Sequence, residues 1–82
     1  MKKIRLKKGV LYRMRRRRMW RERYLIAVMS FVQWKTGTPG RSEAIGAIDR
    51  TESKVRRWFG DEAHKVLIIA QKRAVAAFRE AA

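Results

Sequence analysis

The amino-acid sequence predicts an all-α domain of about four helices, including a helix-turn-helix-like pair, behind a basic N-terminal arm. Three observations predict it. From Val10 to Lys35 no Gly or Pro interrupts the chain, and apolar side chains recur three and four residues apart, the period of one helical face. Residues 36–41, Thr-Gly-Thr-Pro-Gly-Arg, place two glycines and the only proline together, which marks the clearest break. Beyond the break, short apolar segments alternate with capping residues rather than with strand-forming runs.

Residues 1–9 read as a basic arm. Ile4 and Leu6 alternate with charge, so this segment suits an extended form or a short strand, and Gly9 is placed as a hinge. The remainder, 10–82, is read as a single small helical domain. At 82 residues the chain is long enough for one modest core, and its hydrophobic fraction of 46% argues against full disorder.

The first helix is expected over Val10–Lys35. Trp20, Tyr24, Ala27, Val28, Phe31 and Trp34 line one face, and Leu25, Met29 and Val32 widen it. Its first half, 10–23, is mostly arginine, with Leu11, Met14 and Met19 as intermittent apolar contacts, and should project into solvent or onto a partner. Basic residues in the first turns oppose the helix dipole, so this half is expected to fray when free and to order on an anion.

Ser42 is placed to cap a short helix, Glu43 to Ile48. Asp49 and Glu52 have capping-box spacing, which opens a second short helix from Arg50 to Phe59. Gly60 should end it and Asp61 should cap the last helix, Glu62 to about Glu80. The expected core is Tyr24, Leu25, Val28, Phe31, Val32, Ile45, Ile48, Val55, Trp58, Leu67, Ala70 and Phe78.

Charge is the main guide to function. The chain carries 22 Lys+Arg against 7 Asp+Glu, a formal net charge of +15. Of these, 12 basic and 1 acidic side chains fall within residues 1–23, and seven of the eleven residues from 13 to 23 are arginine. Charge so concentrated repels itself unless a polyanion is near. Nucleic acid is the first partner implied, and an anionic membrane surface the second.

Catalysis is not expected. There is no cysteine and one histidine, His64, and no nucleophile–base set, carboxylate pair or metal cluster stands out. Asp61-Glu62-Ala63-His64 spells a helicase box by chance, without the Gly-rich phosphate loop a helicase needs. No cofactor or metal is expected. The longest apolar run, Tyr24–Trp34, spans eleven residues, too few to cross a bilayer. It ends in Trp34-Lys35 rather than in the small residues of a signal-peptide cleavage site. A cytoplasmic or nucleoid-associated location follows.

Residues 41–59, Arg-Ser-Glu-Ala-Ile-Gly-Ala-Ile-Asp-Arg-Thr-Glu-Ser-Lys-Val-Arg-Arg-Trp-Phe, resemble a helix-turn-helix unit. The Val-Arg-Arg-Trp ending is similar to recognition helices of small phage-type regulators and excisionases. The resemblance departs at the turn, where Asp49 and Arg50 stand in place of glycine and an apolar residue. It implies a first helix bracing a second in the major groove, with Ala44, Ile45, Ile48, Val55, Trp58 and Phe59 as shared core. Arg50, Thr51, Ser53, Lys54, Arg56 and Arg57 then become base-readout candidates, Arg57 toward guanine O6 and N7 and Lys54 toward phosphate. A plain helical hairpin with solvated cations is the alternative for this segment.

Lys2, Lys3, Arg5, Lys7, Lys8, Arg13, Arg15, Arg16, Arg17, Arg18, Arg21 and Arg23 are the candidates for contact with the nucleic-acid backbone. On duplex DNA they would meet phosphates without reading sequence. On RNA the run resembles the arginine-rich helices of phage antiterminators and ribosomal proteins, which fold in a groove and stack an aromatic on a base. Trp20 is placed for that role or for the core. The leading function is a small duplex-DNA-binding transcriptional regulator of phage or mobile-element type. An arginine-rich RNA-binding protein, and an interaction module acting on a polymerase or other nucleoprotein machine, are the alternatives. A basic amphipathic helix lying on a membrane, with the Trp20–Trp34 face exposed, ranks third. Recognition of two half-sites would call for a homodimer.

Overall fold

The computed structural model describes residues 8–34 and 37–81, and every regular element among them is helical. Helix α1 spans Lys8–Gln33 and α2 spans Pro39–Phe59. A single 3-10 turn, Gly60–Glu62, leads into α3, Ala63–Ala81. The basic arm through Lys7 lies outside the described residues. Gly9, expected as a hinge, sits inside α1.

The helix boundaries follow from local chemistry. Thr38 is extended (φ −86°, ψ 150°) and its hydroxyl accepts the Arg41 N–H at 3.3 Å. Pro39 then occupies the first helical position, where its missing N–H costs nothing. At the far end Gly60 has φ 58°, a left-handed value that favours glycine. Its N–H closes on the Arg56 carbonyl.

Two of the expected elements are corrected. Ser42 is not a cap, because α2 has already begun at Pro39, three residues earlier. The two short helices over 43–59 are one continuous helix, so the tight connection of a helix-turn-helix is absent from 41–59. Thr51 shows why. Its hydroxyl donates back to the carbonyls of Ala47 (2.7 Å) and Ile48 (3.2 Å), the bonding of a mid-helix threonine. Asp49 is exposed on that helix, where the low propensity of aspartate costs only a few tenths of a kcal/mol, about half of one. The described residues thus form three α-helices and one 3-10 turn. Gly60 and the acidic pair Asp61-Glu62 mark the start of the last helix much as expected, although Asp61 lies within the 3-10 turn rather than capping α3.

Helix α1 is the spine, and both other helices pack mainly on it. Tyr24 and Val28 of α1, Val55 of α2, and Ala63, Leu67, Ala70 and Ala74 of α3 form the buried cluster. The α3 residues are spaced four, three and four apart, one helical stripe. Ala27 and Ala44 are buried as well, so alanines supply much of the contact surface and let the helices approach closely. Leu25, Val32 and Ile48 pack partly buried on this cluster, while Phe31 and Trp58 are half-buried. Ile45 and Phe78, expected inside, are 46% and 47% exposed. Ile45 lies a quarter-turn round α2 from the buried Ala44, whereas Phe78 continues the Ala70–Ala74 stripe into the last turn of α3.

Candidate nucleic-acid interface

The arginine run occupies α1 from its second turn into its fifth, and at 3.6 residues per turn positions 13, 15, 16, 17, 18, 21 and 23 fall in every quadrant of the helix. Lys8, Arg13, Arg15, Arg18, Arg21 and Arg23 are exposed, and Arg16 and Arg17 are half-buried. Lys2, Lys3, Arg5 and Lys7 lie outside the described residues. Among the described residues the ion pairs are Arg18–Glu22 at 3.3 Å and Arg56–Glu52 at 2.9 Å, each within one helix and both partly solvated. Pairs of this kind contribute about 0.3–0.5 kcal/mol. Most of the positive charge of α1 is therefore uncompensated.

The first half of α1 does not project freely from its start. The last turn of α2 lies against it. Arg17 donates its Nε–H to the Trp58 carbonyl at 2.8 Å, and its guanidinium lies over the Phe59 ring at 5.6 Å. Tyr12 meets Trp58 edge-on, with ring centroids 5.9 Å apart. Arg16 in turn donates to the Tyr12 hydroxyl at 3.1 Å and covers its ring. Arg17, assigned above to the nucleic-acid backbone, thus spends one donor closing a helix end. That carbonyl is one of the last four of α2, which have no partner inside the helix.

Arg41 plays the matching part at the other end of the molecule. Its guanidinium sits 4.0 Å from the Phe31 ring centroid and donates to the Trp34 carbonyl at 3.0 Å. Neither role was visible in the sequence. The Arg17 contact joins residues 41 apart, and no local spacing signals it.

On α2 the readout candidates divide. Arg50, Ser53, Arg56 and Arg57 are exposed and Lys54 is half-buried. Arg56 is engaged by Glu52 through two nitrogens. Thr51 is 8% exposed and its hydroxyl is committed to α2 itself, so it is removed from the contact set.

A groove of about 640 Å³ between α1 and α2 brings the two candidate sets together. Trp20, Arg23, Arg50, Ser53 and Lys54 line it, with Asp49 as the carboxylate of the lining. Trp20 is half-buried against the core. Arg23 lies over its ring at 5.1 Å and Lys54, from α2, at 5.6 Å.

The face that a membrane-lying helix would expose is largely covered, since Tyr24, Ala27 and Val28 are buried. No helix among the described residues is long and apolar enough to cross a membrane. Comparison with protein-family models, with curated proteins and with solved structures finds no match to this chain.

Proposed function

We propose that this is a non-enzymatic nucleic-acid-binding protein that grips duplex DNA through the phosphate backbone, with α1 as the main contact. One observation carries the reading: residues 13–23 of α1 hold seven arginines against one glutamate, Arg13, Arg15, Arg18, Arg21 and Arg23 are exposed on more than one side of the helix, and Arg18–Glu22 is the ion pair within that stretch among the described residues. A helix lying on a flat anionic surface needs cations on one side. A helix seated in a groove meets phosphates on both walls, and the major groove of DNA is wide enough for one.

The rigid mounting of α1 on α2, through Arg17 and Tyr12, supports the same reading. It removes part of the ordering entropy that a free arginine-rich segment would lose on binding. A chain of this size that occupies DNA without chemistry would act by occupancy, as small transcriptional regulators of phage and mobile-element type do. Exposed Arg57, in the last turn of α2, is the side chain best placed to add base preference.

The test is a titration of duplex DNA at several salt concentrations against a structured RNA hairpin at matched salt. The expected result is tighter binding to duplex, with log affinity falling linearly in log salt by about 0.9 per phosphate contacted. Displacement of duplex by the hairpin would move the assignment to RNA. Salt-independent binding would remove the electrostatic basis altogether.

A further inference from the structure

We propose that Arg23, Arg50 and Lys54 form a single phosphate-binding site in the α1–α2 groove, in which one phosphate is shared by the two helices. Arg23 and Lys54 come from different helices, yet both are drawn onto the Trp20 indole, at 5.1 and 5.6 Å from its centroid. Arg50 lines the same groove, its guanidinium folded back along Gly46, where an added Cβ would come within 3.2 Å of its Nη1. Three cations therefore face one carboxylate, Asp49, in one concavity, and none of the three is ion-paired among the described residues.

Like charges gathered in one open groove repel one another, with water screening part of the repulsion at the exposed Arg23 and Arg50. Attraction to the ring quadrupole offsets part of that cost. An anion between the two heads would reverse it. A backbone phosphodiester suits the site because its two non-bridging oxygens can each accept a charge-assisted hydrogen bond from a different cation, and pyrophosphate offers the same chemistry with more charge. Ser53 adds a hydroxyl to the same lining. The long, flexible stems of Arg23 and Lys54 let their heads reorient onto a shared anion without moving either helix.

The owner of the phosphate rests on the nucleic-acid reading, whereas the site does not. A bound phosphate would tie α1 to α2 at mid-helix, as Arg17 ties them at the end of α2. The sets separated by sequence into backbone contacts (Arg23) and base readers (Arg50, Lys54) become one device for positioning the backbone.

The experiment is an NMR titration of the full chain, following the indole N–H signals, with inorganic pyrophosphate and with a short DNA duplex at constant ionic strength. It is paired with Arg23→Gln, Lys54→Gln and the double variant. With the duplex, each single substitution should weaken binding about tenfold, the loss of one charge-assisted contact. The double variant should fall little further, because both partners serve one phosphate. Both titrants should shift the Trp20 indole signal and leave that of Trp34 in place.

Additive losses in the double variant would overturn the shared site, and so would an unmoved Trp20 signal with both titrants. A shift with pyrophosphate alone, and no duplex binding, would keep the site as one for free phosphate and overturn the DNA reading. Circular dichroism of the variants, expected to match the parent, separates these outcomes from unfolding.

Discussion

The Nε–H of Arg17 points at the carbonyl oxygen of Trp58, 2.8 Å away and 41 residues later in the chain. One arginine of a run that invites a purely electrostatic reading is thus a structural cap for another helix. Arg17→Ala should cost about 1–2 kcal/mol in urea denaturation, the value of a charge-assisted hydrogen bond in a half-buried setting. Arg15→Ala, two residues away and exposed, should stay within about 0.5 kcal/mol of the parent. Equal effects at the two positions would dismiss the cap.

Gly40 and Trp34 give a second test. A Cβ at Gly40 would lie 2.5 Å from the Trp34 ring, closer than any real contact. Gly40→Ala should therefore destabilise by about 1–3 kcal/mol, the usual range for overpacking, although alanine is the better helix former. Trp34→Ala should relieve the clash, so the double variant should be less destabilised than the sum of the singles. Thermal unfolding of the four proteins checks the cycle.

What could be read from sequence, and what could not, follows the range of the interactions. The first and last helices were legible because their apolar periodicity is local and long. The stop at Gly60 was legible because glycine acts on its own backbone, whereas the break expected over 36–41 is shorter than that, since Pro39, Gly40 and Arg41 already belong to α2. The continuity of α2 was not, since Asp49-x-x-Glu52 has the spacing of a cap, and the burial of Thr51 in mid-helix, its hydroxyl turned back on α2, has no signal in the neighbouring residues. The arginine cluster was legible as a concentration of charge, but its division of labour was not. Arg17 is chosen by a carbonyl and a ring some forty residues away and Arg41 by Trp34 and Phe31 across the break, and nothing in the residues flanking Arg17 distinguishes it from Arg16 or Arg18.

Core substitutions should follow burial rather than size. Val55 has no exposed surface, and Val55→Ala should cost about 2–3 kcal/mol through lost transfer energy and a residual cavity. In a domain this small that is a large share of the stability margin. Phe78→Ala removes a larger side chain that is 47% exposed, and should stay within about 1 kcal/mol. Denaturant midpoints with unchanged slopes would establish the order.

The two kinds of cation assigned to the proposed DNA contact should separate in one binding experiment. Arg15 is exposed on α1, and Arg57 is exposed near the end of α2 without the carboxylate partner that holds Arg56. Arg15→Ala should weaken all duplexes alike and lower the salt dependence by about one phosphate. Arg57→Ala should change the ranking of duplexes in a selection from random sequences, by about 1–3 kcal/mol at the affected base pair. Thr51→Ala should do neither, because its hydroxyl is already bonded inside α2. If Arg57→Ala lowers every affinity by one common factor, then α2 reads no bases, and the protein is a backbone binder whose choice of site comes from DNA shape or from a partner.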